Sequence, residues 1–168
     1  MKKLIIKIAI IILAIFLLFS LAKSILPISS HIAKGNGMAP SIQKGNIFKV
    51  NKRIKKIERG DIILYKLPFD KGEYFQRIIA VPDDKIEIKR NYLGITEVYL
   101  NDKLLNEPYK IKKKELSAHP KAIQMKPVII KKYSYFVMGD DRDLSFDSRF
   151  FGPLPKWFIK GKVTEIKK

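Results

Sequence analysis

Residues Leu4 to Ala22 form an apolar run of 19 residues whose one charge, Lys7, lies near its start. A run of about that length crosses a hydrocarbon core as a helix. Lys7 is one turn inside and can extend towards Lys2 and Lys3. The competing reading is a cleaved secretory signal. Lys23 follows the run directly, and no small-x-small cleavage site precedes it. Residues 1–23 are therefore expected to be a retained membrane anchor, single-pass, in the cell membrane. Lys2 and Lys3 place the short N-terminus in the cytoplasm, and the long domain beyond can still be translocated.

Pro27 ends the expected helix, and residues 24–34 read as a juxtamembrane connector. Residues 35–168 read as one extracytoplasmic domain. No long helical periodicity follows. Short β-rich runs separated by turns dominate instead: 47–50, 62–66, 74–81, 85–88, 97–100, 128–137 and 159–166. That spacing predicts a mainly β fold, a curled antiparallel sheet or barrel. Asn101-Asp102-Lys103 predicts a hairpin turn. The polar, proline-bearing stretch of about 105–127 reads as an insertion or small cap, with some helix near 112–118.

The formal net charge is +18, from 34 basic and 16 acidic residues. Only six of the basic residues are arginine. Lysine excess suits diffuse attraction to anionic lipid or wall polymer better than bidentate phosphate reading. No nucleic-acid motif accompanies the charge, so no nucleic-acid partner is expected. The chain has no cysteine and two histidines, His31 and His119. Thiol chemistry is excluded, and neither a metal centre, a cofactor nor a Ser-His-Asp triad is expected.

Acids, arginines, serines and aromatics crowd together between Phe136 and Pro153. Asp140, Asp141, Arg142, Asp143, Ser145, Asp147, Ser148 and Arg149 follow the apolar Phe136-Val-Met-Gly139. The bland reading is a solvated polar loop with Asx turns. The sharper one is a partly buried hydrogen-bonded network that fixes loop geometry.

Gly139-Asp-x-Arg-x-x-Ser145-x-Asp-Ser-Arg149-x-x-Gly152 resembles the last motif of the type I signal peptidases, membrane-anchored serine endopeptidases that remove signal peptides from exported preproteins. Gly35-Asn-Gly37-Met38-Ala-Pro40-Ser41-Ile42 resembles the family's nucleophile motif, Ser-Met-x-Pro-Thr/Ser-Leu. Arg59-Gly-Asp-Ile-Ile63 and Gln76-Arg77-Ile78-Ile-Ala-Val-Pro82-Asp83-Asp84 resemble its second and third. The four come in family order behind the apolar run. The resemblance implies a β-barrel-like body with its site beside the membrane.

The family's chemistry uses a serine hydroxyl as nucleophile and a lysine kept neutral by burial as general base. The resemblance puts Gly37 at the serine and Gln76 at the lysine. Glycine carries no nucleophile, and glutamine does not titrate. Gly35 stands where family members place an oxyanion-stabilising serine, which leaves the Gly37 N–H. Ser145, Asp147 and Arg149 match the supporting shell, with Arg77 and Asp140 beside them. Asp83 replaces a family glycine, so that turn is expected to differ locally. Met38, Pro40, Gln76 and Ile78 are the expected groove residues. Ser41, Lys34 and Lys44, and upstream Ser29, Ser30 and His31, are the neighbours from which a substitute pair would have to be built.

The expectation is a membrane-anchored homologue without the Ser-Lys dyad. It would bind secreted precursors or pilin subunits non-catalytically, because dyad-lacking relatives assist pilus assembly. Two alternatives stay open: an active peptidase with substitute residues, and a basic surface module for anionic lipid or wall polymer.

Overall fold

The computed structural model describes residues 2–25, 27–92, 95–109 and 124–167, with the side chains of the first helix described from 5 to 21. Most of the expected cap, including the possible helix at 112–118, lies outside the described residues.

Helix α1 (Lys2–Ile25) comes first. Its described side chains are all exposed, among them Ile5, Ile12, Phe16 and Phe19. Among the described residues no helix is long and apolar enough to cross a membrane.

The body is built from antiparallel strands, as the alternating apolar runs predict. A seven-stranded sheet takes β1 (Ile28–Ile32), β2 (Ile47–Asn51), β3 (Ile62–Tyr65), β4 (Tyr74–Ala80), β9 (Ser134–Met138), β10 (Leu154–Pro155) and β11 (Ile159–Lys167). Its order is β1-β2-β11-β3-β4-β9-β10. A four-stranded sheet takes β5 (Lys85–Arg90), β6 (Thr96–Leu100), β7 (Lys103–Leu104) and β8 (Met125–Ile129), in the order β7-β6-β5-β8.

Strand β1 lies in the segment read as a connector. Ile28–Ile32 pairs with β2 in full antiparallel register, Ile28 opposite Asn51 and Ile32 opposite Ile47. Its Ser-Ser-His centre carries little apolar signal, so the ladder rather than burial defines it. The run 128–137 divides into β8 and β9, because Lys131-Lys132-Tyr133 turns between them and Tyr133 takes φ 61°. The Asn101-Asp102 turn joins β6 to β7 with both residues at positive φ, 52° and 66°, the backbone of a tight hairpin.

Two core clusters sit on the large sheet, one around Tyr65, Ile78, Val137 and Leu154, the other around Met38, Ile42, Phe48, Val50 and Leu64. A third joins the sheets. It packs Ile79, Ala80, Phe136 and Met138 of the large sheet against Ile86, Ile88 and Val98 of the small one. Strand β4 contributes to more than one cluster, so its backbone is fixed from several sides. That fixed strand carries Gln76 and Arg77.

Candidate functional site

Three chain segments meet around Ser145. The first is the turn at Gly37, which leads into the isolated bridge between Met38 and Ile42. The second is β4. The third is the loop after β9, from Gly139 to Asp147.

The loop is closed by a network that leaves little freedom. Buried Asp147 accepts from the Gly139 N–H at 3.0 Å and from the Arg149 guanidinium at 2.8 and 2.9 Å. It also caps the short helix α2 (Ser148–Phe151) through the Arg149 N–H. Arg149 donates onward to the Arg142 carbonyl at 2.7 Å, and the Ser148 hydroxyl accepts from the Val137 N–H at 3.0 Å. Arg142 donates to the Gly139 carbonyl at 2.9 Å and pairs with Glu107, both side chains being more than nine-tenths buried. Gly139 has no alternative. A Cβ there would overlap Ser145 and the Gly37 carbonyl. The Asp141 N–H donates to that same Gly37 carbonyl at 3.1 Å, so the first and third segments are clasped together.

Arg77 joins the second segment to the third. Its guanidinium donates to both carboxylate oxygens of buried Asp140, at 2.8 and 2.6 Å, in the bidentate form that holds planar groups most tightly. It also donates to the Ser41 hydroxyl at 3.0 Å and lies 4.1 Å from the Tyr109 ring centroid. Ser41 donates to Asp140 at 2.5 Å. The Ser41 hydroxyl is thus held in a structural ion pair, with no lysine among its described partners. Lys44 is exposed, and its backbone N–H donates to Asn36.

Gln76 is 4% exposed, and its amide is fully used. Nε2 donates to the Ser145 hydroxyl at 3.0 Å and to the Phe146 carbonyl at 2.8 Å, while Oε1 accepts from the Tyr65 hydroxyl at 2.9 Å. Burial, then the Asp147 charge, then Tyr74 push the Tyr65 hydroxyl well above its ordinary value, so it remains a neutral donor. Tyr65 reads in the sequence as one more apolar strand residue, and nothing there marks it as a partner of Gln76.

Gly37 faces this cluster across open space. A Cβ built on it meets the Leu144 carbonyl at 3.5 Å and the Ser145 Cα and Cβ at 3.8 and 3.9 Å, ordinary contact distances. Its φ is not in the left-handed range, and Gly35 has nothing within 4 Å of an added Cβ. Neither the space nor the backbone requires glycine at either place.

A cavity of about 1120 Å³ opens over the cluster, lined by Gly35, Gly37, Met38, Gln76 and Ser145 among others. Of the four expected groove residues, Met38 and Gln76 line it. Pro40 and Ile78 do not. Pro40 is exposed beyond the Met38 turn, and Ile78 is drawn into the Tyr65–Val137 core cluster. The far wall was missed at the sequence level: Ser30, His31 and Ile32 of β1, with Lys66, Lys71 and Glu73 from the segment between β3 and β4. Three strands lie between β1 and β4 in the sheet, so the sheet curls to bring them to one cavity. Among the described residues no group of His, Cys, Asp and Glu side chains could hold a metal ion.

The Asp83 turn keeps a glycine-like backbone at φ 72°, with Asp in it. Asp84 beside it pairs with Arg59 and accepts from the Val81 N–H and the Asn101 amide, both at 2.9 Å. Burial alone would push the Asp84 carboxyl up. Arg59 and those two donors together hold it below the ordinary carboxylate value.

The model of the family described as "Signal peptidase, peptidase S26" matches residues 2–166. "Signal peptidase I V" of Bacillus subtilis (strain 168) is 37% identical over 144 residues, covering 80% of this chain and 82% of the relative. "Signal peptidase IB" of Staphylococcus aureus (strain Mu50 / ATCC 700699) is 31% identical over 165 residues, covering 90% and 82%. Among solved structures, a signal peptidase I from Enterococcus faecalis V583 superposes with a TM-score of 0.53 at 26% identity, covering 66% of this chain and 99% of that one.

Proposed function

Because the chain belongs to the signal peptidase S26 family, we propose that it is a membrane-anchored member that binds extended segments of secreted precursors or pilin subunits and does not cut them with the family's serine and lysine. The observation that carries this reading is the pair of side chains at the two reactive positions. Gly37 brings no hydroxyl, and Gln76 brings an amide already bonded to Tyr65, Ser145 and Phe146. The scaffold around them supports binding: the cavity is open, and β1 in its wall is an edge strand of the sheet, the kind that pairs with an extended peptide.

The substitute-residue reading has little support. Ser41 is bound into the Arg77–Asp140 pair with no lysine or histidine beside it among the described residues, and Ser29, whose hydroxyl meets His31, does not line the cavity. Losing both members of such a pair costs on the order of 10⁴-fold or more in turnover. The lysine excess supports contact with anionic lipid as an accompaniment to anchoring. In this proposal helix α1 is the anchor and residues 35–168 are the extracytoplasmic domain, with β1 of the connector paired onto its β2.

Crosslinking in native membranes tests the proposal. A photoreactive side chain at Leu144, an exposed residue that lines the cavity, should capture an uncut secreted precursor or pilin. Capture of already processed chains only, or of none, contradicts the role.

A further inference from the structure

The far wall of the cavity carries a carboxylate-facing site that neither Gly37 nor Gln76 explains. His31 of β1 is fixed on two sides. Its ring stacks on Phe48, with centroids 5.6 Å apart and planes 19° from parallel. Its Nε2 contacts the Ser29 hydroxyl at 2.8 Å. That leaves Nδ1, which faces the Glu73 carboxylate at 3.5 Å. Glu73 directly precedes β4, so the contact spans the cavity from one flanking strand to the other. The protein therefore already places a carboxylate against this wall, and one that is half exposed, at 49%.

The surroundings over-supply positive charge for that one acid. Lys34, Lys66 and Lys71 also line the cavity, and none forms an ion pair with an acidic side chain among the described residues. Three lysines and a histidine line the cavity beside one glutamate, with Asp70 close enough to Lys66 to feel its charge. A peptide with a carboxylate side chain would meet unpaired ammonium groups and could take the place of Glu73 on His31. A neutral peptide would gain nothing there, and a basic one would be repelled.

We propose that this wall is a subsite for an acidic side chain, and that the groove selects extended peptides carrying Glu or Asp. The proposal rests on the reading of the cavity as a peptide groove and adds the chemistry of its occupant.

The experiment uses the full chain in zwitterionic nanodiscs and three fluorescent nonapeptides of alanine, identical except for Glu, Gln or Lys at the centre. The Glu peptide is expected to bind about tenfold tighter than the Gln peptide, with the Lys peptide weakest. A groove variant combining Lys34→Gln, Lys66→Gln and Lys71→Gln should bring the Glu-to-Gln ratio close to one. Glu73→Gln should tighten the Glu peptide. A control variant, Lys126→Gln with Lys131→Gln and Lys132→Gln, removes three lysines that do not line the cavity and should keep the ratio.

Equal binding of the Glu and Gln peptides to the wild type overturns the subsite and leaves the groove reading standing. An equal fall of the ratio in groove and control variants also overturns it, because the preference would then come from the chain's overall charge. If no peptide binds, the groove reading fails and the subsite with it.

Discussion

The Gln76 amide nitrogen lies 3.0 Å from the Ser145 hydroxyl and donates to it. One bond thus ties β4 to the loop after β9 at the position where the family resemblance puts the general base. With Tyr65 and Phe146 as its other partners, Gln76 holds together the cluster whose chemistry it cannot perform.

Replacing Gln76 with leucine strands two buried hydroxyls, those of Tyr65 and Ser145, and removes a donor from the part-buried Phe146 carbonyl. The expected loss is about 2–4 kcal/mol, since each unsatisfied buried group costs about 1–3 kcal/mol and part of the cluster can rearrange. Gly37→Ser should stay within about 0.5 kcal/mol of wild type, because its Cβ meets only ordinary contacts. Urea midpoints of the two variants, compared at equal slope, check both.

Arg77→Ala should be among the most damaging single changes. It leaves the fully buried Asp140 carboxylate with only Ser41 as side-chain partner among the described residues. Breaking a buried pair from one side costs about 3–5 kcal/mol. Asp140→Asn should cost less, and the double variant less than the sum of the two. Additive losses in a double-mutant cycle would mean that the pair does not act as a unit.

Acid should act partly through Asp84. Its carboxyl is held below its ordinary value in the fold, so the stabilisation is fully present above the unfolded value of about 3.9 and is lost as pH falls through the folded value. Arg59→Gln removes one cause of the lowering and should move the acid-unfolding midpoint to higher pH. Arg59 is half exposed, so the loss at neutral pH should stay below about 1 kcal/mol. A pH titration of near-ultraviolet dichroism for both proteins reads the shift.

Asp83 sits at φ 72°, a left-handed backbone that glycine adopts without steric cost. Asp83→Gly relieves that strain but adds freedom to the unfolded chain, so a net gain of about 0.5 kcal/mol is expected. Thermal melts should show a small rise. A fall would mean that the Asp83 side chain is doing something the backbone does not reveal.

Much of this architecture was legible in the sequence because its signals are local. Alternating apolar residues mark β2 to β6, β9 and β11, and Asn101-Asp102 marks the hairpin. The polar network from Asp140 to Arg149 was legible because acids and arginines at that density need one another when buried. Strand β1 was hidden, since Ser29, Ser30 and His31 have no strand-like alternation and are ordered by pairing with β2. The His31 wall of the cavity was hidden for the same reason. It exists only because the sheet curls enough to bring β1 to the start of β4, a relation that no local spacing encodes. Ile78 was misassigned because strand alternation puts it on the Gln76 side but does not show where along β4 the core closes over.

The most direct test is a cleavage assay on full-length protein in lipid–detergent micelles. It uses a preprotein with a consensus signal peptide, the wild type, and a Gly37→Ser/Gln76→Lys double variant. The account predicts no cleavage by the wild type and cleavage at the signal site by the double variant, because the groove and its supporting shell are in place and only the reacting groups are missing. Cleavage by the wild type at the signal site that survives removal of host peptidase would contradict it.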